Sequence, residues 1–186
     1  MKVLAIIGSP RKHGNTAALV TAVCKGAEAA GHGTEVINLT SLTINDCTAC
    51  GACKAGKVEY CAINDDMQQL YFKIAAADCL IIGTPVYMGQ MTGKMKNFFD
   101  RWYAFIDSNY QIHHISGKKY ITVTASGAPA EVFQSLSDYF NHWLSSFFKL
   151  QLIQNITAGG LGPEDAINNQ PELLAKAESV GRSLKS

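Results

Sequence analysis

"IIGSPRKHGNT", residues 6–16, joins a short apolar run to the start of a helical pattern. The run "KVLAIIG" (2–8) has the length and composition of a buried β-strand. The pattern "NTAALVTAVCKGAEAAG" (15–31) predicts a helix with Asn15 or Thr16 near its N-cap. Between them lie small, hydroxyl and basic side chains in a loop of about eight residues, longer than the roughly two to six that usually join a strand to a helix. We therefore expect this loop to hold a ligand.

The same order of strand and helix repeats along the chain, which predicts a parallel sheet with helices on both faces. Almost wholly apolar strands agree with this, because parallel strands are buried on both sides. Five such units match a flavodoxin-like three-layer α/β sandwich with strand order 2-1-3-4-5, in one domain over residues 1–186. After the first strand and helix, strands are expected at 34–39, 78–85, 118–127 and 150–160, helices at 65–77, 90–105, 131–148 and 171–184, and a cysteine loop at 45–63.

The totals exclude several classes of partner. The formal net charge is +1 and 17% of the residues are charged, so we expect neither a nucleic-acid partner nor a membrane surface. No apolar run approaches the ~20 residues that span a bilayer. Six cysteines without an export signal at the start predict a reducing, cytoplasmic location.

Three interpretations compete for the first loop. A nucleotide-triphosphate loop needs a lysine after its second glycine, and a dinucleotide loop needs G-x-G-x-x-G; neither is present. A terminal phosphate fits better, because Ser9 and Thr16 supply hydroxyls, Arg11 supplies charge and residues 14–16 supply N–H groups at a helix start. The remaining alternative is an ordinary strand-to-helix turn.

Ligands in open sheets of this kind bind at the carboxyl ends of the strands where the strand order reverses. The first and third strands flank that point, so "GSPRKHGNT" and "GTPVYMGQM" should face one another. In the second loop Tyr87 and Met88 offer contact area to a flat apolar ring, Gly89 allows close approach of the backbone, and backbone amides can donate to the ring. Plain core packing of Tyr87 and Met88 is the alternative.

The loop "CTACGACKAGKVEYC" carries Cys47, Cys50, Cys53 and Cys61. Two successive C-x-x-C steps resemble the ligand runs of iron–sulfur clusters, which makes a 4Fe-4S cluster one candidate. Four thiolates also suit zinc, although zinc sites usually take a second C-x-x-C pair from further away. A third alternative is a loop without metal that serves packing or subunit contact. Cys24 and Cys79, within a helix and a strand, are expected to be small core residues.

Taken together, "GSPRKHGNT", the cysteine loop, "DDM", "GTPVYMGQMTGKMKNFFDR" and "ASG" resemble the NADPH-dependent FMN reductase family of flavodoxin-like proteins, and within it the iron-sulfur flavoproteins. The resemblance covers residues 1 to about 160. It implies that the phosphate of FMN is held by Ser9, Arg11, Gly14, Asn15 and Thr16. It implies that the isoalloxazine ring lies along Pro85, Val86, Tyr87, Met88 and Gly89, with Ala125, Ser126 and Gly127 at another edge.

The resemblance further implies an NAD(P)H-dependent flavin oxidoreductase in which the flavin carries the chemistry and no side chain acts as acid, base or nucleophile. The electron acceptor would be a small molecule or a protein of the ferredoxin type. The alternatives are an iron-sulfur flavoprotein that carries electrons between such partners, and a flavin-binding protein without catalysis. Relatives form dimers or tetramers, so a homodimer or homotetramer is expected, with the aromatic stretches 98–105 and 141–148 as interface candidates or as internal core.

Overall fold

A five-stranded parallel sheet of order β2-β1-β3-β4-β5 forms the centre of the protein, as the computed structural model describes it for residues 1–185. Each strand pairs in parallel with its neighbours, so the predicted fold class and strand order are confirmed. The strands are β1 Lys2–Ile7, β2 Gly33–Asn38, β3 Cys79–Pro85, β4 Lys119–Ala125 and β5 Gln151–Ala158, and the helices are α1 Asn15–Ala29, α2 Met67–Ala76, α3 Gly93–Asp100, α4 Gln134–Phe140 and α5 Pro171–Arg182.

Two apolar layers cover the two faces of this sheet. One joins β-strand side chains to α1 and α5, and the other joins them to α2, α3 and α4. The inner strands β1, β3 and β4 are buried along almost their whole length, whereas β2 and β5 at the edges are partly exposed. This is the burial that a sheet sandwiched between helices requires, and it explains why the inner strands read as continuous apolar runs.

The region predicted as one helix over 90–105 follows a tight turn and is divided into a short α-helix and a 3-10 turn. Residues 87–90 form a tight turn that closes with an isolated bridge between Tyr87 and Gln90. Helix α3 then starts after Thr92, whose Oγ1 accepts a hydrogen bond from the Met95 N–H at 3.2 Å, and it continues as a 3-10 turn over Arg101–Phe105. The apolar side chains of this region are nevertheless buried, among them Met91, Met95, Phe98, Phe99 and Trp102.

The predicted helix over 131–148 is also divided. A 3-10 turn, Ala130–Phe133, precedes α4, and a π-helical segment, Asn141–Phe147, follows it. Within this stretch Leu136, Phe140, Leu144 and Phe148 are buried, so the apolar spacing indicates the inner face correctly although the helix is not uniform.

Helices α1 and α5 pack against each other with backbones in contact. A Cβ added at Gly26 would lie 2.0 Å from the Glu178 carbonyl oxygen, and one added at Gly181 would lie 2.0 Å from the Val23 carbonyl oxygen. Because each glycine faces the opposite backbone, neither tolerates a side chain without moving a helix. The close contact fixes α1, whose first turn faces the site described next.

Candidate functional site

A cleft of about 170 Å³ lies at the carboxyl ends of the inner strands. The loops after β1, β3 and β4 meet there, as the topology requires. Of the residues predicted for the flavin, all but Met88 and Gly89 line the cleft: Ser9, Arg11, Gly14, Asn15, Thr16, Pro85, Val86, Tyr87, Ala125, Ser126 and Gly127. The loop after β5 adds Leu161 and Gly162, whose sequence pattern indicates only a simple turn.

The loop after β1 folds back on itself beside the first turn of α1. The Ser9 Oγ accepts a hydrogen bond from the Arg11 N–H at 3.2 Å, and the Gly14 N–H donates to the Arg11 carbonyl at 3.3 Å. Gly14 occupies the N-cap, and among the described residues no side chain caps the helix there. The N–H groups of the first turn are therefore available to an anion, which the helix dipole and Arg11 also favour.

The Asn15 side chain is committed away from that anion position. It is 7% exposed, its Nδ2 donates to the carbonyls of Leu161 at 3.1 Å and Pro163 at 2.7 Å, and its Oδ1 accepts from the Ile167 N–H at 3.0 Å. Because the side chain is fully used, only the backbone N–H of Asn15 is available to bind a phosphate. The side chain instead joins α1 to the loop after β5.

The turn after β3 lies beside the cleft and places an apolar side chain in solvent. Met88 has φ +48° and Gly89 has φ +77°, the left-handed pair of a type I′ turn. Tyr87 is 46% exposed and Met88 is fully exposed, so core packing does not explain Met88. The Val86 N–H donates to the Ala125 carbonyl and the Tyr87 N–H to the Gln90 carbonyl, which leaves the amides of Met88 and Gly89 as the free donors of this turn within the described chain.

These features fit FMN. A narrow polar cleft with an uncapped helix start and an arginine suits a phosphate dianion, and the exposed turn after β3 offers apolar area and free amides to a flat ring. An ordinary strand-to-helix turn would cap its helix and so satisfy the N–H groups of the first turn. In the described structure no side chain caps α1, so these N–H groups remain available to a ligand. The alternative of an ordinary turn is therefore disfavoured.

The cysteine loop does not present a preformed metal site. Cys47 and Cys50 are exposed, Cys53 and Cys61 are half-buried, and all four are free thiols. Within residues 1–185, no three side chains of His, Cys, Asp or Glu are grouped so as to hold a metal ion. A cluster or a zinc ion on these four cysteines would therefore require the thiols to move together.

Cys24 and Cys79 are buried, as expected for core residues. Burial raises the pKa of Cys24 to about 11 and that of Cys79 to about 12. These two thiols therefore stay protonated and unreactive at neutral pH.

A buried ion pair closes the base of the cysteine loop. Arg101 and Asp65 have side chains 0% and 2% exposed, and the Arg101 Nη1 lies 2.7 Å from the Asp65 Oδ2 and 2.9 Å from the Asn45 carbonyl. The Arg101 Nε is buried and has no partner among the described residues. Burial raises the pKa of the Asp65 carboxyl, but hydrogen bonds from Arg101 and the Asn45 N–H outweigh it and hold this pKa below its ordinary value. The chain pattern gave no signal for this pair.

A second cation holds the middle of the same loop. Lys54 donates from Nζ to the Tyr103 carbonyl at 2.5 Å and to the Ile106 carbonyl, and its Nζ lies 3.7 Å from the centre of the Tyr103 ring. Tyr60 anchors the far end by stacking on Tyr71 with ring centroids 4.9 Å apart. The loop is thus attached along its length to the 3-10 turn after α3 and to α2.

None of the described helices is both long and apolar enough to pass through a bilayer.

Known proteins resemble the whole chain in sequence and in fold. An "Iron-sulfur flavoprotein" of Archaeoglobus fulgidus is 34% identical over 184 residues, 99% of this chain and 79% of the relative. One of Methanosarcina thermophila is 32% identical over 142 residues, 76% of this chain and 73% of the relative. An NAD(P)H:quinone oxidoreductase from Methanothermobacter marburgensis shares the fold with a TM-score of 0.78 at 21% identity, over 100% of this chain and 96% of that one.

A sequence model described as NADPH-dependent FMN reductase matches residues 1–158, most of the chain. The prediction of an NAD(P)H-dependent flavin oxidoreductase that uses FMN is confirmed at that level. The chain therefore belongs to the NADPH-dependent FMN reductase family.

Proposed function

We propose that this oxidoreductase holds the phosphate of FMN on the loop after β1 and the ring beside the turn after β3, and that it passes electrons from NAD(P)H to a small-molecule or protein acceptor. One observation carries the proposal. The first turn of α1 is uncapped and opens with Arg11 into the cleft where the loops after β1, β3 and β4 meet. That arrangement suits a ligand that combines a phosphate with a large planar group.

FMN, when bound, supplies the acceptance and release of two electrons. The chain's own residues supply binding and orientation. Arg11 would offset part of the charge of the phosphate, and the N–H groups of residues 15–17 would donate hydrogen bonds to it. The amides of Met88 and Gly89 would donate to the ring edge on which negative charge develops. Because the turn after β3 is exposed, the nicotinamide nucleotide and the acceptor would use the same open side in turn.

Flavin binding by the Arg11→Ala variant tests the phosphate site. We expect the dissociation constant for FMN to rise at least about tenfold, since a charge-assisted contact to a dianion is lost, while riboflavin, which lacks the phosphate, is unaffected. Lys12→Ala, a neighbouring basic residue that does not line the cleft, serves as the matched control. Equal loss for FMN and riboflavin, or no loss, would contradict the phosphate placement.

Steady-state kinetics test the shared open side. Initial rates at several acceptor concentrations should give parallel double-reciprocal lines, because one substrate leaves before the next binds. Intersecting lines would show that both substrates are held together. Quinones, free flavin and ferricyanide are suitable acceptors, and the best of them identifies the acceptor class.

We further propose a cytoplasmic homo-oligomer. The free cysteines suit a reducing compartment. A groove of about 160 Å³ lined by Phe99, Tyr103, Tyr139 and Trp143 supports self-association through part of the predicted aromatic stretches, although Phe98, Trp102 and Phe105 lie in the chain's own core. Sedimentation of the wild type and of Trp143→Ser tests this; a wild type that is monomeric at micromolar concentration contradicts it.

The name of these relatives, iron-sulfur flavoprotein, favours a second candidate function in which the cysteine loop carries a cluster. Cluster binding would require the loop to rearrange, because its thiols are not grouped within the described residues. Iron and acid-labile sulfide should then be present after anaerobic purification and absent in Cys50→Ser. Wild-type protein without either, under the same conditions, contradicts this candidate and leaves the flavin proposal intact.

A further inference from the structure

Asn15, the first residue of α1, lines the cleft but directs its side chain to the loop after β5. Its neighbours Gly14 and Thr16 face the cleft in the expected way. Its side chain makes three hydrogen bonds, all to the backbone of residues 161–167. Both amide hydrogens and the amide oxygen are used, so this side chain has no donor left for a bound anion.

Those bonds hold one wall of the cleft. Leu161 and Gly162 line it, and two of the three bonds end at Leu161 and Pro163. On its other side the wall is held by the loop after β4, where the Leu161 N–H donates to the Ser126 carbonyl at 2.9 Å and the Gly160 N–H to the Ala128 carbonyl at 3.0 Å. The wall therefore lies between α1 and the loop after β4 and depends on both.

We infer that Asn15 is a positioning residue that sets the width of the flavin cleft by fixing the loop after β5, and that it does not hold the phosphate through its side chain. The inference rests on the proposed function, because it concerns the same cleft. Its physical basis is the free energy lost when the Asn15 amide is removed. Without the amide, the carbonyls of Leu161 and Pro163 and the N–H of Ile167 lose buried partners, and the wall relaxes toward solvent.

A positioning role for Asn15 predicts a different pattern of flavin affinities from that of a side chain that binds the phosphate. Asn15→Ala retains the backbone N–H of residue 15, so its contact with the phosphate survives while the wall loosens. We expect FMN and riboflavin to bind about tenfold or more weakly and by a similar factor, whereas Arg11→Ala weakens FMN alone. The visible circular dichroism of bound FMN should also change, since its surroundings are no longer fixed.

Amide hydrogen exchange measured without flavin tests the wall directly. Exchange at Leu161–Ile167 should be at least about tenfold faster in Asn15→Ala than in the wild type. Asn15→Asp keeps an oxygen for the Ile167 N–H but loses both donors, so protection at Ile167 should be retained while residues nearer Leu161 exchange faster. Asn168→Ala, an exposed asparagine in the same segment, is the matched control and should behave as the wild type.

Two results would overturn the inference: unchanged exchange in Asn15→Ala, or a loss of affinity for FMN that riboflavin does not share. If Asn15→Ala does not fold, the exchange pattern of Asn15→Asp decides. A wild-type chain that takes up no flavin would contradict the proposed function instead, and the exchange experiment would still show whether Asn15 fixes the wall.

Discussion

At the scale of the residue, Met88 has a left-handed backbone conformation that is unfavourable for a residue with a side chain. A left-handed φ costs a non-glycine residue roughly 1 kcal/mol, and the exposed Met88 side chain packs against nothing that offsets this within the described chain. Residues kept in such conformations are frequent at functional sites. The strain therefore agrees with a role for this turn at the flavin.

Substitution in the turn tests the cost of this conformation. Met88→Asn creates the Asn-Gly pair that type I′ turns favour, and we expect the free energy of unfolding to rise by about 0.5 to 1 kcal/mol. Gly89→Ala should lower it by about 1 kcal/mol, because φ is +77° there although no atom crowds the added Cβ. Urea unfolding of the flavin-free protein measures both, and changes of the same sign in the two variants would contradict the turn assignment.

At the scale of the element, the base of the cysteine loop is attached to the 3-10 turn after α3 by the buried Arg101–Asp65 ion pair. Removing one member of a buried pair leaves the other uncompensated, which typically costs about 3 kcal/mol or more. Arg101→Lys keeps the charge but loses the forked contacts to Asp65 and Asn45. We expect a large loss of stability in Arg101→Met and a smaller one in Arg101→Lys, measured by denaturant unfolding, with the exposed pair variant Lys96→Met as the control.

The Arg101–Asp65 ion pair also predicts that the free energy of unfolding falls at acid pH. The pKa of Asp65 is lower in the folded chain than its ordinary value near 4, so its contribution is complete above about pH 4 and is lost as pH falls through the lower folded value. The free energy of unfolding should decline over that range, and Asp65→Asn should flatten the decline while lowering stability at pH 7. An acid limb of unchanged slope in Asp65→Asn would contradict the assignment.

The contact between α1 and α5 gives a prediction about packing. In Gly26→Ala the new methyl would overlap the Glu178 carbonyl, so α5 must move, and such overpacking costs about 1 to 3 kcal/mol. Gly33→Ala is the matched control, because no atom lies within 4 Å of a Cβ there. Thermal unfolding of the two variants should separate them clearly, and similar midpoints would show that the helices are not in backbone contact.

At the scale of the whole molecule, the cysteines divide into two populations. In iron-free native protein, an alkylating reagent should modify the exposed Cys47 and Cys50 rapidly, and Cys24 and Cys79 only after unfolding. Mass spectrometry of peptides from a time course measures this. Rapid labelling of Cys24 or Cys79 in the native protein would contradict their placement in the core.

The extent to which sequence predicts this molecule follows from the range of the interactions. Apolar periodicity is local, so the strands follow from the sequence alone; their order, and with it the meeting of the loops at the strand ends, follows once the five units are matched to the flavodoxin-like topology. Asn15 and its partners Leu161 and Pro163 are 146 and 148 residues apart, and Arg101 is 36 residues from Asp65. Nothing in the local pattern marks such pairs, so neither the wall of the cleft nor the base of the cysteine loop is predictable from it.

Local pattern also fails where two structures share one periodicity. Residues 90–105 keep the apolar spacing of a helix, yet the turn at 87–90 and the hydroxyl of Thr92 set a later start. The same spacing does not distinguish a solvent-facing arginine from a buried one, and Arg101 is buried and paired. The apolar spacing therefore locates the helical segment within 90–105 but does not determine whether Arg101 is buried or exposed.

Helix α5 lies beyond residues 1–158, the part that the family's sequence model matches, yet Gly26 and Gly181 bring its backbone into contact with that of α1. A polypeptide shortened to residue 158 would retain every side chain proposed to touch the phosphate and would still uncover the outer flank of α1, including Val23 and Ala27. Sequence boundaries drawn from shared motifs can thus cut through a folding unit, and a shortened protein of this kind would be expected to aggregate before its affinity for flavin could be measured.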